Sequence, residues 1–178
     1  MKKLLAILAM AFASSAFAVN YVSVDVDSVK GLNGASDSTA QYVRAGTEIG
    51  GIQWGLQSRT ARVEGGGLLN SLEVTGGKAI GAITPFVGVG HDNGFNGSTP
   101  YNYGLVGATA GAKMGPGFAL AGVKARVGST ETNMTHQTVV FGTYSLPMTK
   151  TVSLNFNASK SYRDIKENAF GLGLGFSF

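Results

Sequence analysis

Residues 168–178 read Asn-Ala-Phe-Gly-Leu-Gly-Leu-Gly-Phe-Ser-Phe. From Phe170 every second residue is large and apolar, and Gly171, Gly173, Gly175 and Ser177 stand between them. Period-two alternation makes a strand with one apolar face and one small or polar face. In a soluble sheet such a ridge at the chain end is an unpaired edge that invites aggregation. In a closed membrane barrel the same strand pairs with the first one, and its ridge meets hydrocarbon.

Nine further segments alternate in the same way, over residues 19–27, 40–49, 52–60, 71–75, 79–90, 101–113, 118–127, 138–146 and 151–159. The clearest is 151–159, where Val152, Leu154, Phe156 and Ala158 oppose Thr151, Ser153, Asn155, Asn157 and Ser159. The facing of 101–113 and 138–146 is ambiguous, and 71–75 is short. Tight turns are expected at Gly50, Gly76, Met114 and Pro147, and longer polar connections at Ser28, Ala61, His91, Gly128 and Lys160. Short turns alternating with longer loops are a habit of outer-membrane barrels. The expected fold is all-β: a closed antiparallel up-and-down transmembrane β-barrel of ten strands, or eight if the weak fourth segment and a neighbour are loop.

Lys2 and Lys3 precede a short apolar run, 4–12, and Ala16-Phe17-Ala18 is a small-x-small cleavage site. These are the marks of a secretory signal peptide. Residues 1–18 are expected to be cleaved, leaving 19–178 as the barrel domain. Two of the four net positive charges sit in Lys2 and Lys3, and no basic cluster suits nucleic acid. The chain has no cysteine, so thiol chemistry and disulfides are excluded. No metal-ligand spacing and no phosphate-cradling loop in a strand-to-helix setting occurs, so no metal or cofactor is expected.

The faces carry the chemistry. Val22, Val24, Val26, Val152, Leu154, Phe156, Phe170 and Leu172 are expected to face lipid. Arg44, Glu48, Arg59, Glu73, Lys124 and Arg126 fall opposite the apolar face of their strands. A Lys or Arg turned to mid-bilayer costs about 2–4 kcal/mol, so all six are assigned to the lumen as a charge network that fills a narrow interior. Trp54, Tyr101, Tyr103, Phe141, Tyr144 and Phe178 are candidates for interfacial girdles. A rim enzyme would have to use His91-Asp92, or His136 with Ser129, Thr130 and Glu131 near it. Adjacent strand residues face opposite ways, and no spacing sets a nucleophile beside either histidine, so no catalytic residue is assigned.

The leader, the alternating strands and the ending Leu-Gly-Phe-Ser-Phe resemble the small outer-membrane β-barrels of Gram-negative bacteria, of the OmpA/OmpX-like kind. The segment Thr84-Pro85-Phe86-Val87-Gly88-Val89-Gly90 resembles a strand common in such barrels. The resemblance implies an outer-membrane location and a monomer in contact with outer-membrane lipid. It also implies periplasmic chaperones during export, and a barrel-assembly machinery that reads Leu174, Phe176 and Phe178. It implies a structural or surface-interaction role through the external loops. The alternatives are a small porin-like channel, a rim enzyme, and a secreted soluble barrel that binds an apolar ligand.

Overall fold

The computed structural model describes residues 20–32, 37–63, 67–93, 100–129, 134–163 and 166–178. The expected leader, 1–18, lies outside them. Ten strands follow one another: β1 Tyr21–Gly31, β2 Ser38–Ile49, β3 Ile52–Val63, β4 Leu68–Gly77, β5 Ile83–Asp92, β6 Tyr101–Met114, β7 Gly117–Ser129, β8 Met134–Pro147, β9 Val152–Arg163 and β10 Glu167–Ser177. Each pairs antiparallel with its neighbours in sequence, and β1 pairs with β10, so the sheet closes into an up-and-down barrel. The eight-strand alternative is set aside, because β4 pairs with β3 along its whole length and with β5 from Ser71 to Gly77.

One end of the barrel is made of tight connections. Gly50 and Gly51 join β2 to β3 with φ of 61° and 75°, a left-handed backbone that glycine adopts without a Cβ penalty. Only Gly115 and Pro116 join β6 to β7. The connection expected at Gly76 lies later: Gly76 and Gly77 still pair in β4, opposite Val87 and Phe86. The chain turns over 78–82, held by Ile80 and Ile83 exchanging backbone hydrogen bonds. At the opposite end, here the loop end, the strands run further than their sequence suggests. β3 and β4 take up most of the segment expected as a loop from Ala61 to Asn70, and β9 continues to Arg163.

The reason is an inversion of pattern. Near the loop end the inward positions are apolar: Val29, Ala40, Ala61 and Ala169 form a buried cluster with Tyr42 and Leu69 against it. The outward positions there are polar: Gln41, Thr60, Arg62 and Asn70 alternate with those residues along β2, β3 and β4. Elsewhere the outward positions are the apolar ones. Val22, Val24, Val26, Val152, Leu154, Phe156, Phe170 and Leu172 all lie on the outer face of the sheet. Val87 and Phe170 are 63% and 67% exposed. The register also settles the two ambiguous strands: Leu105 and Val139 face in and are buried, while Val106 and Val140 face out and are exposed.

β10 shows why this chain spends glycine on its inward face. Gly171 and Gly173 sit opposite Asp27 and Asp25 of β1, and a Cβ on either would collide with the aspartate carboxylate and with backbone. Gly173→Val is therefore expected to overpack the lumen and cost about 1–3 kcal/mol. Gly104→Ala, where a Cβ meets nothing within 4 Å, is expected to be near neutral. Urea midpoints of the two refolded variants check the pair.

Candidate functional site

The site is the middle of the lumen. It begins on β1, where Ser23, Asp25 and Asp27 alternate with outward valines. Asp25 is 1% exposed and accepts from three groups: Ser23 Oγ at 2.9 Å, Asn157 Nδ2 of β9 at 2.9 Å, and Arg44 Nη1 of β2, with which it forms an ion pair. Arg44 Nε donates to Gln57 Oε1 of β3 at 3.1 Å, and Gln57 Nε2 donates to Glu73 Oε2 of β4 at 3.4 Å. The Arg44 guanidinium also lies 4.4 Å from the centre of the Tyr42 ring.

Glu73 is the second hub. It is 3% exposed and takes Lys124 Nζ at 2.6 Å and the Arg126 guanidinium, both from β7. The Tyr103 hydroxyl of β6 donates to its other side at 3.0 Å. Arg126 Nη1 then donates to Gln137 Oε1 of β8 at 2.6 Å. Thr143, also on β8, donates to Asn157 Oδ1 at 2.8 Å. A belt of side chains thus runs round the lumen from β9 through β1, β2, β3 and β4 to β7 and β8. Above it, Arg59 reaches past β2 and β1 to Glu167 of β10 at 3.6 Å.

Beside Glu73, β5 carries glycine. It presents Gly88 and Gly90 inward, and the Tyr103 ring occupies the space where a Gly90 Cβ would be. That vacancy lets β4 and β7 join across two intervening strands. Asp25 and Glu73 are each buried with a cation and neutral donors against them, as an ion in a low-dielectric interior requires, whereas Asp27 Oδ1 is buried with no hydrogen-bond partner among the described residues.

Of the six charged residues assigned to the lumen from sequence, the structure brings Glu73, Lys124 and Arg126 together and hands Arg44 and Arg59 other partners. Glu48 stays exposed, near the tight-turn end of β2. The sequence reading left out Asp25, Glu167, Tyr103, Gln57, Gln137 and Asn157. For Asp25 and Asp27 the signal was present, since they alternate with valines that were assigned outward. The amides carry no charge to mark them.

Three aromatic residues differ from expectation. Tyr101, Tyr103 and Phe141 face the lumen, not an interfacial girdle, since the register sets them opposite the inward residues Asp92, Gly90 and Gly122. Inward tyrosines fill the room left by facing glycines and bring a hydroxyl to the carboxylates. Trp54, Tyr144 and Phe178 are on the outer face. The histidines are also on the outer face. His91 pairs through Nδ1 with Asn102 Oδ1 at 2.8 Å, while its neighbour Asp92 is buried in the lumen. His136 lies outward on β8, opposite Val127. Thr130, Glu131 and the Ser129 side chain are outside the described residues. Among the described residues no group of His, Asp and Glu could hold a metal ion.

No protein-family model matches the sequence, and no curated protein matches it. Solved structures do. The translocator domain of the autotransporter NalP from Neisseria meningitidis superposes with a TM-score of 0.51 at 12% identity, over 99% of this chain and 94% of that one. The β domain of the Bordetella autotransporter BrkA gives 0.50 at 13% identity, over 90% and 99%. Neisserial surface protein A gives 0.46 at 11%, over 90% and 97%. The first two show a shared fold, the closed, all-antiparallel, up-and-down β-barrel described above.

Proposed function

We propose that this chain is an integral outer-membrane barrel whose lumen is closed by its own side chains, and which acts as a structural or surface-interacting protein through its loop end. The observation that carries the reading is the sorting of the two faces. Outward positions at mid-height are apolar and exposed, and the ionic groups are enclosed and paired. A sheet immersed in lipid must pair every backbone group within itself, and a closed barrel does so. The sorting also argues against a soluble barrel that binds an apolar ligand, whose apolar face would be inside.

The belt argues against an open channel. Lys124, Arg126 and Glu73 meet across the lumen, and small barrels fill their interiors with side chains. In planar bilayers the purified protein is expected to give no resolved conductance steps. Its heat-modifiable gel mobility after refolding in detergent is expected to show that the sample is folded. Regular steps from heat-modifiable protein would replace this reading with the porin-like one.

The remaining features of the reading are a cleaved leader and export in the company of chaperones. In keeping with them, the outward, exposed ridge of Leu174, Phe176 and Phe178 is suited to be read by assembly factors. The Ser23 hydroxyl that donates to Asp25 is buried with it in the lumen, so the reading assigns no catalysis.

A further inference from the structure

The outer face carries a sign bias. Among the described strand residues, the charged side chains that face outward are Lys30 on β1, Arg62 on β3 and Lys160 on β9. All are cations and all are at the loop end. Every acidic residue within a described strand faces the lumen. Lys30 and Lys160 stand in one row, each directly opposite Asn168 of β10. Strands are about 4.8 Å apart, so their Cα atoms lie about 10 Å apart with an amide between them. That spacing lets two long ammonium stems close on one oxyanion.

Neither lysine is paired with a described carboxylate. Lys160 Nζ rests 5.4 Å from the centre of the Tyr162 ring. One pleat below the row is Phe170, the most exposed of the described phenylalanines. The cations therefore begin where the apolar surface ends, at the depth of a lipid headgroup. On the far side of the barrel the outward residues toward the loop end of β4, β5 and β6 include Asn70, His91 and Asn102, with no Lys or Arg among the described ones.

We infer that Lys30, Asn168 and Lys160 form a site for the phosphate of an anionic lipid headgroup in the leaflet at the loop end. Two ammonium groups would take the phosphate oxygens and the Asn168 amide would donate between them, while the lipid's chains lie along Phe170 and Leu172. The site rests on the membrane reading above and adds to it a preferred lipid chemistry.

The test is native mass spectrometry of the full barrel in detergent, titrated with phosphatidic acid or with phosphatidylcholine. Wild-type protein is expected to retain phosphatidic acid preferentially. Lys30→Ser with Lys160→Ser is expected to bind it roughly twenty-five-fold more weakly, at about five-fold per lysine near a headgroup. Lys78→Ser with Lys150→Ser, at the opposite end, is expected to bind as wild type. Heat-modifiable mobility shows that each variant is folded. Equal retention of the two lipids, an unchanged lysine pair variant, or full displacement by excess inorganic phosphate would overturn the site. Failure of the wild-type chain to enter vesicles is read in a separate flotation assay and would overturn the membrane reading itself.

Discussion

Glu73→Gln is expected to lower the unfolding free energy by about 3–5 kcal/mol, the cost typical of breaking a buried ion pair from one side. The change is nearly isosteric, so packing is kept. What is lost is the only carboxylate on Lys124 and Arg126 among the described residues. Both cations would remain in a closed lumen beside a neutral amide, and the Tyr103 hydroxyl would keep its acceptor. The double variant Glu73→Met with Lys124→Met removes an anion and a cation together, and Arg126 keeps Gln137. It is expected to recover much of the loss, because an apolar pair of similar volume often matches a buried ion pair. Urea titration in lipid vesicles, followed through Trp54, measures both. A loss below about 1 kcal/mol for Glu73→Gln would put these charges in water, as in an exposed pair, and would mean that the belt does not close the lumen.

Val87→Arg is expected to cost about 2–4 kcal/mol, the penalty for arginine at the midplane of a lipid-facing barrel surface. Val87 lies in the middle of β5, faces out and is 63% exposed. For a barrel in water that position is an ordinary surface site, where substitutions fall within about 0.5 kcal/mol. The same change at Gln41, outward but near the loop end, is expected to cost about 0–1 kcal/mol, since the penalty fades toward the interface. The dependence on depth is the signature of a bilayer. Equal, small costs at both positions would place the outer face in solvent.

The strands that were legible in the sequence are those whose alternation is unbroken. Over residues 152–157 of β9 and 170–177 of β10 the outward residues are Val, Leu and Phe and the inward ones are Ser, Asn and Gly, so element, period and facing come together. The ends of strands were harder to read, and the physical cause is the inversion at the loop end. Where Ala61, Leu69 and Ala169 turn inward and Arg62, Asn70 and Asn168 turn outward, a strand no longer keeps its apolar residues on one face. Of these, Ala61, Arg62, Leu69 and Asn70 looked like loop. The belt was half legible. Charges opposite an apolar face mark themselves, but Gln57 and Gln137 enter only because cross-strand register sets them beside Arg44 and Arg126. β6 hid its facing for a different reason: its outward residues include Gly104, Ala108, Ala110 and Ala112, and its tyrosines face in.

The central claim is that the outer face of the barrel meets hydrocarbon while the ionic groups are enclosed. Trp54, the single tryptophan of the chain, lies on that outer face and is 46% exposed, so it reports the surroundings without any substitution. In phosphatidylcholine vesicles its emission is expected to be blue-shifted and quenched by bromine atoms on the lipid chains, most strongly by those near the headgroup. Acrylamide in the water is expected to have little effect. Efficient quenching by acrylamide with none from brominated chains would contradict the account.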